Sequence, residues 1–339
     1  MQTFNSPWPD LNGKIILVTG GTGSFGQAFV RTVLKNYKVR KLIIFSRDEM
    51  KQFDMARSFT GPEASALRFF LGDVRDCDRL EAAMRGVDYV FHAAALKHVP
   101  AAEYNPFECI KTNVHGAENI VTAAIRVGVK KVVALSTDKA VNPINLYGAS
   151  KLAADKIIIA ANSLSGESGP RFAAVRYGNV IGSRGSIIPL FKSMIADGAT
   201  HLPITDERMT RFWITLEQGV NFVLSSLAMM EGGEIFIPKI PSMRVVDVAK
   251  ALAPNLPQKI VGIRPGEKLH EMMVTRDDAR LTLELSDRYI IEPAFNYWSA
   301  GNHHAAYSKP VAEDFEYASN NNAEWLDGSG LISLLNSKN

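Results

Sequence analysis

Tyr147 and Lys151 stand four residues apart, a spacing that places both side chains on one helix face. A nearby ammonium stabilises a phenolate and lowers the tyrosine pKa from about 10, so Tyr147 could take a hydroxyl proton near neutrality. Alone, this spacing recurs by chance. It gains meaning from Thr19-Gly20-Gly21-Thr22-Gly23-Ser24-Phe25-Gly26, which follows an aliphatic run and opens a helical pattern. Gly20 permits a tight turn, Gly23 lets backbone approach a pyrophosphate, and Gly26 lets the helix pack close to a sheet. The helix start then turns its free N–H groups toward the phosphates. A dinucleotide turn combined with a Tyr–Lys pair describes a redox step at a hydroxyl-bearing carbon.

The residues ending the second apolar run bear on which dinucleotide binds. Sites selective for NAD carry a carboxylate there for the ribose 2′-hydroxyl. This chain has Ser46-Arg47-Asp48, with Lys51 one helical turn further on. Arg47 offers a planar cation and Ser46 a hydroxyl to a 2′-phosphate, which favours NADP over a reading in which Asp48 serves NAD. Asp73-Val74, after Gly72, suits an adenine contact.

Short aliphatic runs alternate with helical patterns through the first half of the chain. Strands are expected over residues 14–19, 41–46, 67–71, 89–93, 131–136 and 172–176, and helices over 25–34, 48–58, 76–84, 106–127 and 146–162. Runs without polar/apolar alternation belong to strands buried on both faces, hence a parallel sheet covered by helices on each side. The expected fold is a Rossmann-like, doubly wound α/β sheet with a smaller C-terminal domain. Residues 10–182 would bind the cofactor, a segment near 212–240 would pack on them, and 183–339 would form mainly the substrate-binding domain and a C-terminal arm. After Pro293 the only expected helix lies near Asn322–Leu326.

Composition narrows the partners. The chain has 339 residues, 46% hydrophobic and 22% charged, with a net charge of +3, a balance that points to neither nucleic acid nor a membrane surface. Cys77 and Cys109 lack metal-ligand spacing and read as free packing thiols of a reducing compartment, and no metal is expected. Residues 1–12 lack the pattern of a signal peptide, so a cytoplasmic location is expected. His92, Phe212 and Trp213 read as packed residues and His98 as a loop residue.

With the Gly turn, Tyr147 and Lys151 together, residues 13–290 resemble the extended short-chain dehydrogenases/reductases. Ser136-Thr137-Asp138-Lys139-Ala140 refines the likeness. Sugar-nucleotide 4-epimerases of that group need only a Ser or Thr beside the Tyr, and 5-retaining dehydratases carry Asp-Glu where this chain has Asp138-Lys139. The stretch 136–151, STDKAVNPINLYGASK, with residues 91–100 and Ser46-Arg47-Asp48-Glu49, resembles the inverting UDP-N-acetylglucosamine 4,6-dehydratases of the pseudaminic acid pathway. The resemblance implies oxidation at sugar C4 with Tyr147 as base, loss of water across C5/C6, and hydride return to C6. Lys139 would be the C5 base, Asp138 the acid at O6, and Thr137 a hydrogen-bond partner of the C4 oxygen. Burial would bring both pKa values toward neutrality by disfavouring charge, whereas a tight Asp138–Lys139 ion pair would drive both away from it.

The candidate cofactor surface comprises Gly20, Thr22, Gly23, Ser24, Phe25, Gly26, Ser46, Arg47, Asp48, Lys51, Asp73, Val74, Ala93, Lys97, Leu135, Ser136, Tyr147, Lys151 and Val180. The resemblance implies a UDP-sugar bound by Lys97, Asn179, the loop Arg184-Gly185-Ser186-Ile187-Ile188-Pro189, Arg211, Arg264 and Glu267, in a homo-oligomer, dimer or hexamer. Two rivals stand beside this reading. A UDP-hexose 4-epimerase would leave Asp138-Lys139 structural, and a non-catalytic NADP-binding sensor would have no use for the Tyr–Lys pair.

Overall fold

A computed structural model of the chain describes residues 2–183, 185–295, 304 and 307–336. Six strands of the first half are β1 (Ile15–Thr19), β2 (Lys41–Ser46), β3 (Leu67–Leu71), β4 (Tyr89–His92), β5 (Lys131–Leu135) and β6 (Arg171–Val175). They lie in the order β3-β2-β1-β4-β5-β6, and Ile235–Pro238 adds a further parallel strand beside β6. Arg288–Ile291, Thr282–Glu284 and Lys309–Pro310 extend that edge antiparallel. The order reverses between β1 and β4, and such a reversal opens a crevice at the strands' carboxyl ends.

Side-chain alternation along each strand feeds two separate cores. Ile16, Val18, Leu42 and Ile44 pack on one face with Phe29 and Val33 of helix Ser24–Asn36 and with Phe222, Val223 and Leu227 of helix Leu216–Met229. Leu17 and Ile43 pack on the other with Leu80, Ile120, Ala124 and Ile158, from helices Cys77–Met84, Gly116–Val127 and Leu146–Ser165. Both faces of the sheet are therefore apolar, which is why the strands read as unbroken aliphatic runs.

Two stretches depart from the expected pattern. The helical run from Pro106 to Val127 contains a π turn at Lys111–His115. The helix expected near Asn322–Leu326 lies further on, at Gly328–Asn336. Asn322 bonds outward to the Ile240 carbonyl at 2.8 Å and to Ser242 Oγ at 3.0 Å, while Asp327 accepts the Gly330 N–H at 2.7 Å. Short polar side chains that find such partners favour caps over helix interiors. Tyr317–Ala318 pairs with Met272–Val274, so this late segment is built into the fold. Among the described residues no helix is long and apolar enough to cross a membrane, and Cys77 and Cys109 are free.

Gly26 shows how closely the first helix meets the turn before it. A β-carbon there would fall on the backbone of Gly21, which has no side chain to move aside. Gly26→Ala should destabilise the protein by about 1–3 kcal/mol, because overpacking forces backbone shifts. A chemical-denaturation midpoint equal to that of the parent would count against this packing.

Candidate active site

A cavity of about 900 Å³ opens at the carboxyl ends of the parallel strands. Gly20, Thr22, Gly23, Ser24, Phe25, Ser46, Arg47, Asp48, Lys51, Asp73, Val74, Ala93, Lys97, Leu135, Ser136, Thr137, Lys139, Tyr147, Lys151, Asn179 and Val180 all line it. So do Gly185, Ser186, Ile187, Arg211, Arg264 and Glu267, which brings most of the candidate residues into one space.

Four described candidates do not line it, Asp138 among them, buried behind Lys139. Gly26 packs against Gly21, as above. Ile188 faces the core beside Trp213, Met243 and Val248, because Ser186 starts helix Ile187–Ala196 and turns alternate residues away from the cavity. Pro189, in the first turn of the same helix, is also turned aside. Arg184 lies outside the described residues.

The dinucleotide end is built by backbone fit. Gly20 has φ +64°, and a β-carbon on it would meet the backbone of Ala93 and Ala94. Thr19 Oγ1 accepts the N–H groups of both alanines at 3.2 Å and contacts His92 Nδ1 at 2.8 Å. With its lone pairs occupied, the hydroxyl hydrogen goes to Nδ1, which fixes His92 as the neutral Nε2–H tautomer. Burial, then the Lys151 charge, lowers the His92 pKa to about 3, consistent with a packed residue rather than a base.

At the end of β2, Asp48 caps helix Glu49–Arg57. It accepts the Lys51 N–H at 2.9 Å and pairs with the Lys51 ammonium at 2.7 Å. This carboxylate and this lysine thus occupy each other. Arg47, its side chain 55% exposed and 3.7 Å from Asp73, remains presented to the cavity. A planar cation beside an occupied carboxylate suits a phosphorylated ribose.

The catalytic end begins where β5 stops. Thr137 opens a 3₁₀ turn over Asp138–Ala140, and Asn145 caps helix Leu146–Ser165, which carries Tyr147 and Lys151. Lys151 donates to the Leu135 carbonyl at 2.7 Å. Burial lowers its pKa, partly offset by Asp155. Tyr147 departs from the expected lowered pKa. Burial pushes it up to about 12 against the opposing pull of the Lys139 charge and a hydrogen bond with Thr137.

Lys139 also departs from expectation. Its ammonium lies 3.0 Å from Asp138 Oδ1, 3.3 Å from Glu271 Oε1 and 3.3 Å from Asn179 Oδ1. Burial works against the charge, but the two carboxylates outweigh it and hold Lys139 above the ordinary lysine range. The close Asp138–Lys139 contact is therefore made, and it favours the ammonium form of Lys139. Asp138 has no exposed surface and does not itself line the cavity. Burial raises its pKa, with Lys139 opposing, and Thr137 donates to Oδ1 at 2.9 Å.

Arg211, expected to clamp a nucleotide, is directed elsewhere. Its fork donates to the carbonyls of Thr210 at 2.7 Å, Leu269 at 3.1 Å and Lys268 at 2.9 Å. The bidentate face is thereby spent on the loop that leads to Glu271. Arg264 is exposed at the mouth. Asn145 holds the neighbouring turn through the Gly266 carbonyl at 2.7 Å, and Lys268 donates to the Val141 carbonyl.

Two site residues escaped sequence reasoning. Glu271 follows the run from Arg264 to Lys268 by three positions, and its partners come from distant segments. Asn113 sits on the π turn and clamps Leu96 through both backbone groups, at 2.8 and 2.9 Å, and also reaches Ser150 at 2.9 Å. It thereby ties the loop carrying Lys97 to the helix of Tyr147. A π turn is a frequent mark of a functional position, but single-sequence periodicity does not reveal one.

The turn after β1, the crevice at the strand reversal and the Tyr–Lys helix after β5 together define the class of extended short-chain dehydrogenases/reductases. Residues 16–293 match the family described as polysaccharide biosynthesis protein, and the chain belongs to that family. A UDP-N-acetylglucosamine 4,6-dehydratase (inverting) from Campylobacter jejuni subsp. jejuni is 56% identical over 96% of this chain and 98% of its own. A UDP-glucose 4-epimerase from Rickettsia canadensis is 42% identical over 91% of each chain. The X-ray structure of Pen from Bacillus thuringiensis superposes with a TM-score of 0.87, at 36% identity, covering 97% of this chain and 100% of that one.

Asn113→Leu would leave the Leu96 amide and carbonyl and the Ser150 hydroxyl without their partner. We expect a loss of about 1–3 kcal/mol, the cost of buried polar groups left unpaired. Hydrogen exchange should accelerate at Leu96; unchanged exchange there would remove Asn113 from this role.

Proposed function

We propose that this chain is a UDP-N-acetylglucosamine 4,6-dehydratase that inverts C5 and uses NADP. The observation that carries the reading is the Asp138–Lys139 pair. A 4-epimerase has no use for an acid and a base beyond Tyr147, whereas this site buries a carboxyl behind an ammonium that faces the cavity. The 56% identity to the C. jejuni dehydratase supports the same choice over the epimerase at 42%.

NADP held along Gly20–Phe25 and beside Tyr147 and Lys151 would supply the acceptor for the C4 hydride and its return to C6. Tyr147, once its own proton has passed to solvent, takes the C4 hydroxyl proton, and Thr137 steadies the oxygen. The resulting ketone acidifies the C5 hydrogen. Lys139 must then be neutral and Asp138 protonated. Transfer of one proton across their 3.0 Å contact produces both forms at once, with no exchange with solvent. The Lys139 side chain is 25% exposed toward the cavity, so a bound sugar would strip its remaining water. Removing that water favours the uncharged pair over the ion pair. Lys139 then removes the C5 proton, and the Asp138 proton leaves with O6 as water, passed on by Thr137. A proton drawn from solvent then adds to C5 from the face opposite Lys139, which inverts that centre, and Tyr147 gives its proton to solvent in exchange, so that the ion pair is restored.

Arg47 and Ser46 receive the 2′-phosphate in this reading, and Arg264, Asn179 and the residues 185–187 face the nucleotide sugar. Residues 10–182 with 212–240 form the cofactor half, and the remainder forms mainly the sugar half. The product would serve pseudaminic acid or related surface glycan synthesis, in a cytoplasmic homo-oligomer.

Incubation with UDP-N-acetylglucosamine in D2O tests the reaction. A 4-keto-6-deoxy sugar with deuterium at C5 is expected, and recovery of only the 4-epimer would defeat the dehydratase reading. Lys139→Ala should abolish elimination and leave NADP binding intact; unchanged turnover would remove Lys139 from the mechanism. Arg47→Ala should weaken NADP by about tenfold, the worth of a charge-assisted hydrogen bond, with little effect on NAD. Equal losses for both dinucleotides, measured by titration calorimetry, would contradict NADP selectivity.

A further inference from the structure

Glu271 has no part in the reaction as written above, yet it lies against the group on which that reaction turns. It is 2% exposed. Oε1 is 3.3 Å from the Lys139 ammonium and 3.7 Å from Arg211 Nε, and Oε2 is 3.8 Å from the Lys268 ammonium. No hydrogen bond reaches Oε2 among the described residues. Its backbone is fixed on both sides by one residue: the Glu271 N–H donates to Ser319 Oγ at 2.9 Å, and the Ser319 N–H donates to the Glu271 carbonyl at 2.7 Å. A buried carboxylate is retained at such cost only where cations compensate it.

The charges around Lys139 come from several elements. Asp138 shares its turn, Glu271 precedes strand Met272–Val274, Arg211 lies on strand Thr210–Ile214, and Lys268 lies on the loop between them. Tyr147 faces it from its helix, and Lys97 from the loop after β4. Three cations, Lys139, Arg211 and Lys268, thus approach Glu271. Asp138 has one cation beside it and the Glu271 carboxylate beyond. Were Glu271 absent, Asp138 would be the sole carboxylate beside Lys139 and would hold a proton less readily.

We propose that Glu271 is a positioning residue of the elimination step: it serves as the standing counter-ion of Lys139, Arg211 and Lys268, and so leaves Asp138 free to carry the proton that departs with O6. This rests on the dehydratase reading. The directions of two shifts agree with it. Burial raises Asp138, and Glu271 raises it further. Burial opposes ionisation of Glu271, but Lys139 and then Arg211 overcome this and lower it.

The sign of a test follows from charge alone. Removing an anion lowers the pKa of every neighbouring group, Lys139 and Asp138 alike. Both limbs of the kcat–pH profile should therefore move to lower pH in Glu271→Gln, by roughly one unit. On the alkaline limb of the wild-type profile kcat should therefore fall about tenfold with KM nearly unchanged, and Glu271→Asp should restore most of the loss. The wild type is assayed first for the 4-keto-6-deoxy product; a wild type that forms none overturns the underlying reading before any variant is compared. A Gln variant that loses activity equally at every pH, or whose limbs keep their positions, shows a structural residue and overturns the proposal. If the Gln variant fails to fold, the Asp variant is decisive: a profile unlike that of wild type, despite a retained carboxylate, would equally overturn it.

Discussion

One ammonium held between two buried carboxylates organises the site. Lys139 meets Asp138 at 3.0 Å and Glu271 at 3.3 Å, with only a quarter of its side chain open to the cavity. Separate burial of these charges would be prohibitive, so each requires the others in place. That requirement reaches far along the chain. Asp138 and Lys139 come from the end of β5, Glu271 from beyond residue 270, and Ser319 holds Glu271 from the last segment. Ser319 Oγ also lies 2.6 Å from Thr210 Oγ1, beside Arg211. Ser319, beyond Pro293, is thus part of what positions this buried charge.

The rest of the fold delivers these groups to one place. Two apolar faces hold the parallel sheet between helices, and the strand reversal between β1 and β4 leaves a crevice where β5 and β6 end. On the proposed function, the dinucleotide turn and the Tyr–Lys helix within it provide redox chemistry at a hydroxyl, and the Asp138–Lys139 turn adds the means to lose water. On the proposed reading, a sugar entering the cavity completes the burial of Lys139 and converts a resting ion pair into a base and an acid.

Elements whose signals are local were legible in the sequence. The aliphatic runs gave the strands, and the Gly spacing gave the turn, because each depends on neighbours within a few residues. The Tyr147–Lys151 spacing likewise places both groups on one helix that faces the cavity. What could not be read was charge state and long-range contact. Asp138 and Lys139 are adjacent in sequence, but their pKa values depend on Glu271, 132 residues beyond Lys139 by its number. Arg211 looked like a ligand clamp because its carbonyl partners, in residues 268–269, are invisible to spacing. Ile188 looked like a loop residue until Ser186 proved to start a helix. Asn322 offered a helix-like pattern but found tertiary partners instead.

The central claim is that the free enzyme rests with Lys139 charged and clamped by both carboxylates. Nuclear magnetic resonance of the lysine side-chain amines, with Lys139 assigned by its Arg substitution, tests this directly. Titration of Lys139 above the ordinary lysine value of 10.5 is the expected result. A Lys139 amine that is already neutral at pH 7 without substrate would contradict the account.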